Sequence, residues 1–132
     1  MRLLLDTHIW IWSVASPQRL TKRVRTALGS ARNELWLSPI SVWEFLVLAE
    51  KGSLKLDRPA ASWVEAALAA PGTLRDAPLT REVAIESWRV PLAHQDPADR
   101  FIAATALVQG LTLVTADERL LALKSLPTLA NC

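Results

Sequence analysis

Short apolar segments that end abruptly at a polar residue limit what this chain can fold into. RLLLD (residues 2–6), ELWLS (34–38) and LTLVT (111–115) do not alternate as a half-exposed strand does. Continuous apolar runs of this length are typical of strands buried on both faces of a parallel sheet. Because segments with helical punctuation separate them, we predict an α/β fold in which helices cover both faces of a parallel sheet.

Helix punctuation marks most of the intervening segments. Thr21 and Thr80 are suited to cap helices, Pro39 to stand in a first turn, and Gly110 to follow a helix end. In such folds, ligands bind outside the carboxyl ends of the strands. We predict helices over residues 8–14, 21–32, 39–51, 62–70, 80–88, 97–109 and 116–123, with shorter strands within 73–79 and at 127–130.

Composition narrows the class of protein. The 132 residues suffice for one domain with a sizeable core, because 51% of them are hydrophobic. The opening apolar run stops at Asp6, too early for a signal peptide or a membrane span, so we expect a cytoplasmic protein. Cys132 is the only cysteine, which excludes an internal disulfide and a cysteine-based zinc site, and His8 and His94 are too few to replace one.

A basic stretch follows the first predicted helix, although the formal net charge is only +2. The stretch contains no acidic residue and consists of Arg19, Lys22, Arg23, Arg25 and Arg32. It either forms a solvated helix face or attracts phosphates through counterion release.

Two aspartates directly follow predicted strands. Asp6 ends the first apolar run, and Asp117 stands just past LTLVT. If the two strands are neighbours, these carboxylates converge at one edge of the sheet. Each aspartate could instead be only the N-cap of the helix that follows it.

The sequence allows two roles for Glu44. With Ser41 it fits a capping box, which would make it structural. With Ser38 as the helix start, Glu44 falls in the second turn, beyond the reach of capping. Its neighbours are apolar, and a charge beside a core is usually paired or bound to a metal.

Asp96 and Asp99 stand three residues apart at a helix start. Asp96 before Pro97 has the form of an N-cap followed by proline at the first helical position. We therefore predict that Asp96 caps the helix and that Asp99 faces a site from its first turn. Several carboxylates with no cysteine favour Mg²⁺ or Mn²⁺, which take oxygen ligands and support hydrolysis of a phosphodiester.

Four motifs, in their order and spacing, resemble those of PIN-domain ribonucleases, in particular the VapC-type toxins of bacterial and archaeal toxin–antitoxin pairs. They are LLLDTHIWIW (3–12), SPISVWEF (38–45), DPADRFIAATA (96–106) and LVTADERL (113–120). The resemblance covers essentially the whole chain. It implies a single PIN domain over residues 1–132, a three-layer α/β/α sandwich with a central parallel sheet of four or five strands.

The resemblance also assigns roles to the acidic residues. It implies a metal-dependent endoribonuclease whose Mg²⁺ or Mn²⁺ is bound by the acidic quartet Asp6, Glu44, Asp99 and Asp117. Asp96 matches a second aspartate found in this subgroup.

Other positions would assist this quartet. Thr7 and Thr115 match small polar residues that would orient carboxylates or water. Arg100 would pair with an acid or a phosphate, or else be a surface arginine. Lys22, Arg23 and Arg25 would guide the RNA backbone.

The family implies two protein partners as well. It forms homodimers, and a small antitoxin holds each toxin inactive with a tail that enters the acidic site. Most of the six tryptophans are expected in the core, with Trp12 or Trp63 as a guess for a residue that faces a partner.

Two rival functions stay open on the sequence. One is a phosphohydrolase that uses Asp6 as a nucleophile, although no second aspartate follows two residues later in DTH. The other is a non-catalytic RNA-binding or protein-binding module whose acids are only helix caps.

Overall fold

Five parallel strands form the sheet at the centre of the protein. The computed structural model describes residues 1–69, 74–92 and 96–132. The strands are β1 (Arg2–Leu5), β2 (Glu34–Leu37), β3 (Leu74–Asp76), β4 (Thr112–Thr115) and β5 (Thr128–Ala130). The predicted parallel sheet is confirmed.

The strand order β3-β2-β1-β4-β5 puts β1 at the centre. After β1 the chain adds β2 and β3 on one side, and it later adds β4 and β5 on the other. The order therefore reverses between β1 and β4, which pair with Leu3 opposite Thr112 and Leu5 opposite Val114. The crevice outside the carboxyl ends of two such strands is where open α/β sheets bind ligands.

Helices connect the strands and cover both faces of the sheet. They are α1 (Thr7–Ala15), α2 (Lys22–Gly29), α3 (Pro39–Glu50), α4 (Ala60–Ala69), α5 (Arg81–Arg89), α6 (Pro97–Gln109) and α7 (Glu118–Leu121). None of the helices in the described residues is long and apolar enough to cross a membrane.

The predicted helix caps are formed by side-chain hydrogen bonds. Thr21 accepts from the backbone N–H of Val24, and Thr80 from that of Val83. Ser38 accepts from the N–H of Ile40, so α3 starts at Pro39. This settles the alternatives for Glu44, which lies in the second turn of α3 rather than in a capping box.

Two features near helix starts differ from the prediction. Helix α4 begins at Ala60 rather than at Ser62, because the carbonyl of Pro59 already accepts the first helical bond, from Trp63 at 3.0 Å. A 3₁₀ turn over Pro17–Arg19, which was not predicted, precedes α2. His94 lies outside the described residues.

Alternate residues of the central strands face two separate cores. Leu3 and Leu5 pack into a cluster with residues of α1, α2 and α4, whereas Leu4 packs with residues of α5 and α6. Since successive strand residues point to opposite faces, both layers are needed to bury β1. The predicted three-layer α/β/α arrangement is thereby confirmed.

Aromatic stacking fills the first of these cores. The rings of Phe45 and Trp63 stack with their centroids 4.4 Å apart, and Trp10 meets both rings edge-on. Trp63 is only 9% exposed, so the guess that it faces a partner is wrong. The exposed tryptophans are Trp43 and Trp88, at 53% and 88% exposure.

Helix α6 is positioned by the N-cap that the sequence predicted. Asp96 accepts a hydrogen bond of 3.0 Å from the N–H of Ala98, with Pro97 at the first helical position. At the other end Gly110 adopts a left-handed conformation, φ 65°, which glycine takes without steric cost. Asp99 consequently lies in the first turn of α6.

Asp96→Ala is expected to lower the free energy of unfolding by about 1 kcal/mol, because α6 loses its cap. Asp96→Asn is the matched control, since asparagine removes the same charge but caps equally well. Urea titration measures both variants. Equal losses in the two would contradict the capping role.

Candidate metal centre

Five carboxylates line one pocket at the carboxyl ends of β1 and β4. The pocket has a volume of about 400 Å³ and is bordered by Asp6, His8, Ile9, Trp12, Glu44, Asp96, Asp99, Ala116, Asp117 and Arg119. All four acids of the predicted quartet are among them. The pocket therefore lies at the point where the strand order reverses, as expected for a ligand site in this fold class.

Thr115, the buried last residue of β4, links the first and last acids. Its hydroxyl donates a 2.6 Å hydrogen bond to Oδ2 of Asp6 and accepts a 3.0 Å bond from the backbone N–H of Asp117. The orienting role predicted for Thr115 is consistent with both bonds. They hold the two carboxylates at adjacent strand ends.

Asp6 is a helix cap as well as a member of the pocket. Its Oδ1 accepts a 2.8 Å bond from the N–H of Thr7 at the start of α1. Burial raises the pKa of the Asp6 carboxyl above its ordinary value, and the neighbouring charge of Asp99 adds to the rise. Hydrogen bonds from Thr115 and Thr7 oppose this shift in the pKa of Asp6 without cancelling it.

Glu44 reaches the same pocket from the second turn of α3. Burial raises its pKa, and a hydrogen bond from Thr7 opposes the rise. The charges of Asp6, Asp99 and Asp96 each raise the pKa of Glu44 further. A 2.9 Å hydrogen bond also joins the buried hydroxyls of Thr7 and Ser41, which ties α1 to α3 beside the carboxylates.

Arg119 also borders the pocket, although the sequence analysis did not predict it. Its Nε lies 3.2 Å from Oδ1 of Asp117, and its Nη2 lies 3.0 Å from Oδ2. The same Nη2 is 3.7 Å from Oδ2 of Asp99. Arg119 follows Asp117 by only two residues in LVTADERL, and this short spacing is the signal that the sequence did contain.

The donor set fits a hard divalent cation. The acids supply oxygen ligands only, and burial together with mutual repulsion makes their ionised forms costly without a positive charge among them. As placed, no three Asp, Glu, His or Cys side chains of the described residues stand close enough to hold one ion. A guanidinium, however, already stands between Asp99 and Asp117 in the position of a shared cation.

The guanidinium of Arg100 contacts backbone carbonyls, which the sequence did not predict. Its guanidinium donates to the backbone carbonyls of Ser87, Val90 and Leu92 at 3.2, 3.0 and 2.8 Å. These are carbonyls at and beyond the end of α5, which the helix itself leaves without partners. Arg100 thus joins α5 to α6 instead of lining the pocket.

The predicted basic residues lie outside the pocket. Arg25 donates to the carbonyl of Leu20 at 2.9 Å, Arg23 lies beside the amino ends of the strands, and Lys22 is exposed. Arg19, by contrast, stacks over Trp12 with its guanidinium 4.6 Å from the ring centroid, and Trp12 borders the pocket. RNA contact by Lys22, Arg23 and Arg25 stays a prediction.

Comparisons with known proteins agree with this architecture. A profile described as the PIN domain matches residues 3–126. Ribonuclease VapC22 of Mycobacterium tuberculosis is 38% identical over 119 residues, which cover 89% of this chain and 88% of that protein.

Solved structures of similar fold include two complexes. VapBC2 from Rickettsia felis, bound to a DNA fragment from its promoter, matches with a TM-score of 0.74 and 17% identity over 98% of each chain. DNA-bound VapBC from Salmonella typhimurium matches with a TM-score of 0.71 and 23% identity, covering 100% of this chain and 99% of that one. At these identities the likeness is one of fold.

Asp6→Asn is expected to stabilise the metal-free protein at neutral pH, because it removes a carboxylate that burial makes costly to ionise. Asparagine keeps the size of Asp6 and its capping ability. The raised pKa sets the sign of the pH effect. From about the ordinary value of 3.8 upward, the unfolded chain releases the Asp6 proton first, so the wild type loses stability until the folded pKa is passed.

Urea unfolding in EDTA across a pH series measures this effect. The stability advantage of Asp6→Asn over the wild type should grow from acidic to neutral pH. A difference that stays constant with pH, or a less stable variant at neutral pH, would show that Asp6 is not held at a raised pKa.

Proposed function

The chain belongs to the PIN-domain family, and on that premise we propose that it is a VapC-type ribonuclease, the toxin of a toxin–antitoxin pair. One observation carries the proposal. Asp6, Glu44, Asp99 and Asp117, which lie far apart in sequence, border one pocket at the point where the strand order reverses. The 38% identity to Ribonuclease VapC22 supports the assignment of this pocket to RNA hydrolysis.

Asp6, Asp99 and Asp117 would hold one or two Mg²⁺ or Mn²⁺ ions, with Glu44 completing the set. A bound divalent ion supplies a more acidic water and neutralises charge on the phosphodiester. The protein holds the acids in place through Thr115, which bonds Asp6 and the backbone of Asp117. The helix starts at Thr7, Pro97 and Glu118 add the positive ends of three helices.

Glu44 is suited to accept the proton of the attacking water. Its pKa lies above the ordinary value because of burial and the neighbouring acids, so it is a stronger base than a solvated carboxylate. It differs from Asp6, Asp99 and Asp117 in standing on α3 rather than at a helix start. This difference supports separate roles for Glu44 and the three aspartates.

The RNA strand is proposed to approach the pocket past Trp12 and Arg19. A guanidinium stacked on an indole offers a phosphate contact beside an aromatic ring on which a base can stack. The exposed imidazole of His8, whose ring centroid lies 5.8 Å from that of Trp12, continues this border into the pocket. Lys22, an exposed cation at the start of α2, stands three residues after Arg19 in the sequence.

The partners are proposed from the family. A small antitoxin would inhibit the enzyme with a tail that enters the acidic pocket, and the cytoplasm would hold both this partner and the RNA. We further propose that the single PIN domain over residues 1–132 forms a homodimer. Exposed apolar side chains on α5, Ile85 and Trp88, support a partner face there.

Asp99→Asn is expected to reduce cleavage of RNA on the order of 100-fold or more, because removal of a ligand should cost at least as much as loss of a group that only orients one. The measurement is gel analysis of total RNA incubated with purified protein and Mg²⁺, followed by sequencing of the new ends. Arg89→Ala, a change in an exposed ion pair with Glu86, is the control that should cleave normally.

The rival functions make different predictions for the same assay. A non-catalytic module cleaves no RNA even as wild type, and its melting temperature does not respond to Mg²⁺. A phosphohydrolase with Asp6 as nucleophile leaves RNA intact but forms a phospho-enzyme, which mass spectrometry detects. Undiminished RNA cleavage by Asp99→Asn would contradict a metal centre that contains Asp99.

Trp88→Ser is expected to shift the protein from dimer to monomer, because it removes the largest exposed apolar side chain of the proposed partner face. Sedimentation velocity on the chain alone measures the mass. A monomeric wild type, or a variant that stays dimeric, would contradict a dimer through α5.

A further inference from the structure

Arg119 occupies a position in the pocket that a metal ion would also need. Its Nη2 lies 3.0 Å from Asp117 Oδ2 and 3.7 Å from Asp99 Oδ2, so the positive charge stands between one oxygen of each carboxylate. Its Nε and backbone N–H both donate to the other oxygen of Asp117, at 3.2 and 2.9 Å. The cation therefore contacts two of the proposed ligands at once.

The side chain of Arg119 is more exposed than the two carboxylates that it contacts. It is 58% exposed, whereas the Asp99 side chain is 10% and that of Asp117 23% exposed. The carboxylates are thus held in the pocket wall, and the guanidinium enters from solvent on a long flexible stem. Solvent competes with such an ion pair, because its cationic partner is exposed.

A guanidinium and a divalent ion repel each other when both stand between Asp99 and Asp117. Like charges a few ångströms apart oppose each other, so a divalent ion that enters between these carboxylates meets the positive charge of Arg119. We infer that Arg119 is an internal counter-cation of the pocket, which pairs with Asp99 and Asp117 in the metal-free protein and competes with a divalent ion for them. This inference rests on the proposed metal centre but not on RNA cleavage.

An anchoring role for Arg119 is the alternative. A guanidinium that stays on Asp117 while a metal binds would orient the carboxylate, and its loss would weaken metal binding. Competition predicts the opposite sign. The direction in which metal affinity changes on removal of Arg119 therefore decides between the two roles.

The test is Mn²⁺ binding to the full chain, followed through the electron paramagnetic resonance signal of the free ion. Arg119→Ala should lower the half-saturating Mn²⁺ concentration by about fivefold, the effect that an exposed ion pair supports. Arg119→Lys keeps the charge and should stay nearer to the wild type than the alanine variant. Melting temperature in EDTA should fall for Arg119→Ala, because the acids lose their counter-charge.

Arg58→Ala is the matched control. Arg58 makes the same two-bond contact, with both Nε and Nη2 lying 3.2 Å from the oxygens of Asp57, but this pair lies outside the carboxylate pocket. The control should leave the Mn²⁺ midpoint unchanged.

Three results would overturn the inference. An unchanged or higher Mn²⁺ midpoint in Arg119→Ala would show that the arginine does not compete. Equal midpoints for the alanine and lysine variants would show that its charge is not the cause. A wild type that binds no Mn²⁺ would overturn both the metal centre and this inference. Cleavage of RNA by that protein is a separate measurement, which tests the proposed ribonuclease function.

Discussion

Both the core and the candidate metal centre depend on the hydrogen-bonded pairing of β1 with β4 at the centre of the sheet. Leu3, Leu4 and Leu5 are buried on two faces at once, because layers of helices cover this pair from both sides. The N–H of Asp6 continues the pairing by donating to the carbonyl of Val114. Asp6 is therefore held beside Thr115. The pairing of the two strands is enough to bring the acids at their ends together.

Convergence of the acids has an energetic cost that the surrounding structure offsets. Burial and repulsion raise the pKa values of Asp6 and Glu44, so their ionised forms disfavour the folded state. Hydroxyl donors from Thr7 and Thr115, helix starts and the guanidinium of Arg119 supply partial positive charge in return. Acids held together at this cost are suited to bind a cation, and the cost is one form of the usual conflict between stability and activity.

Local chemistry made much of the molecule predictable. Punctuation by Thr21, Thr80, Pro97 and Gly110 acts over a few residues, so the starts of α2, α5 and α6 and the end of α6 were located from the sequence alone. Asp96 was correctly predicted as the N-cap of α6 for the same reason. The end of α2 was not located, since this helix stops at Gly29 rather than at Arg32. The role of Glu44 could not be assigned from local spacing, because Ser38 and Ser41 are both good N-caps. Only the structure shows that Ser38 caps α3.

The sequence by itself determined the α/β class, the acids at the strand ends and the absence of cysteine ligands, because these follow from residue types and short-range spacing. Only the tertiary structure decided which distant side chains meet. It directed Arg100 to the carbonyls that follow α5, buried Trp63 against Phe45, and set Arg119 between Asp99 and Asp117. Long side chains reach several partners within their length, so their contacts depend on how helices pack against the sheet rather than on local spacing.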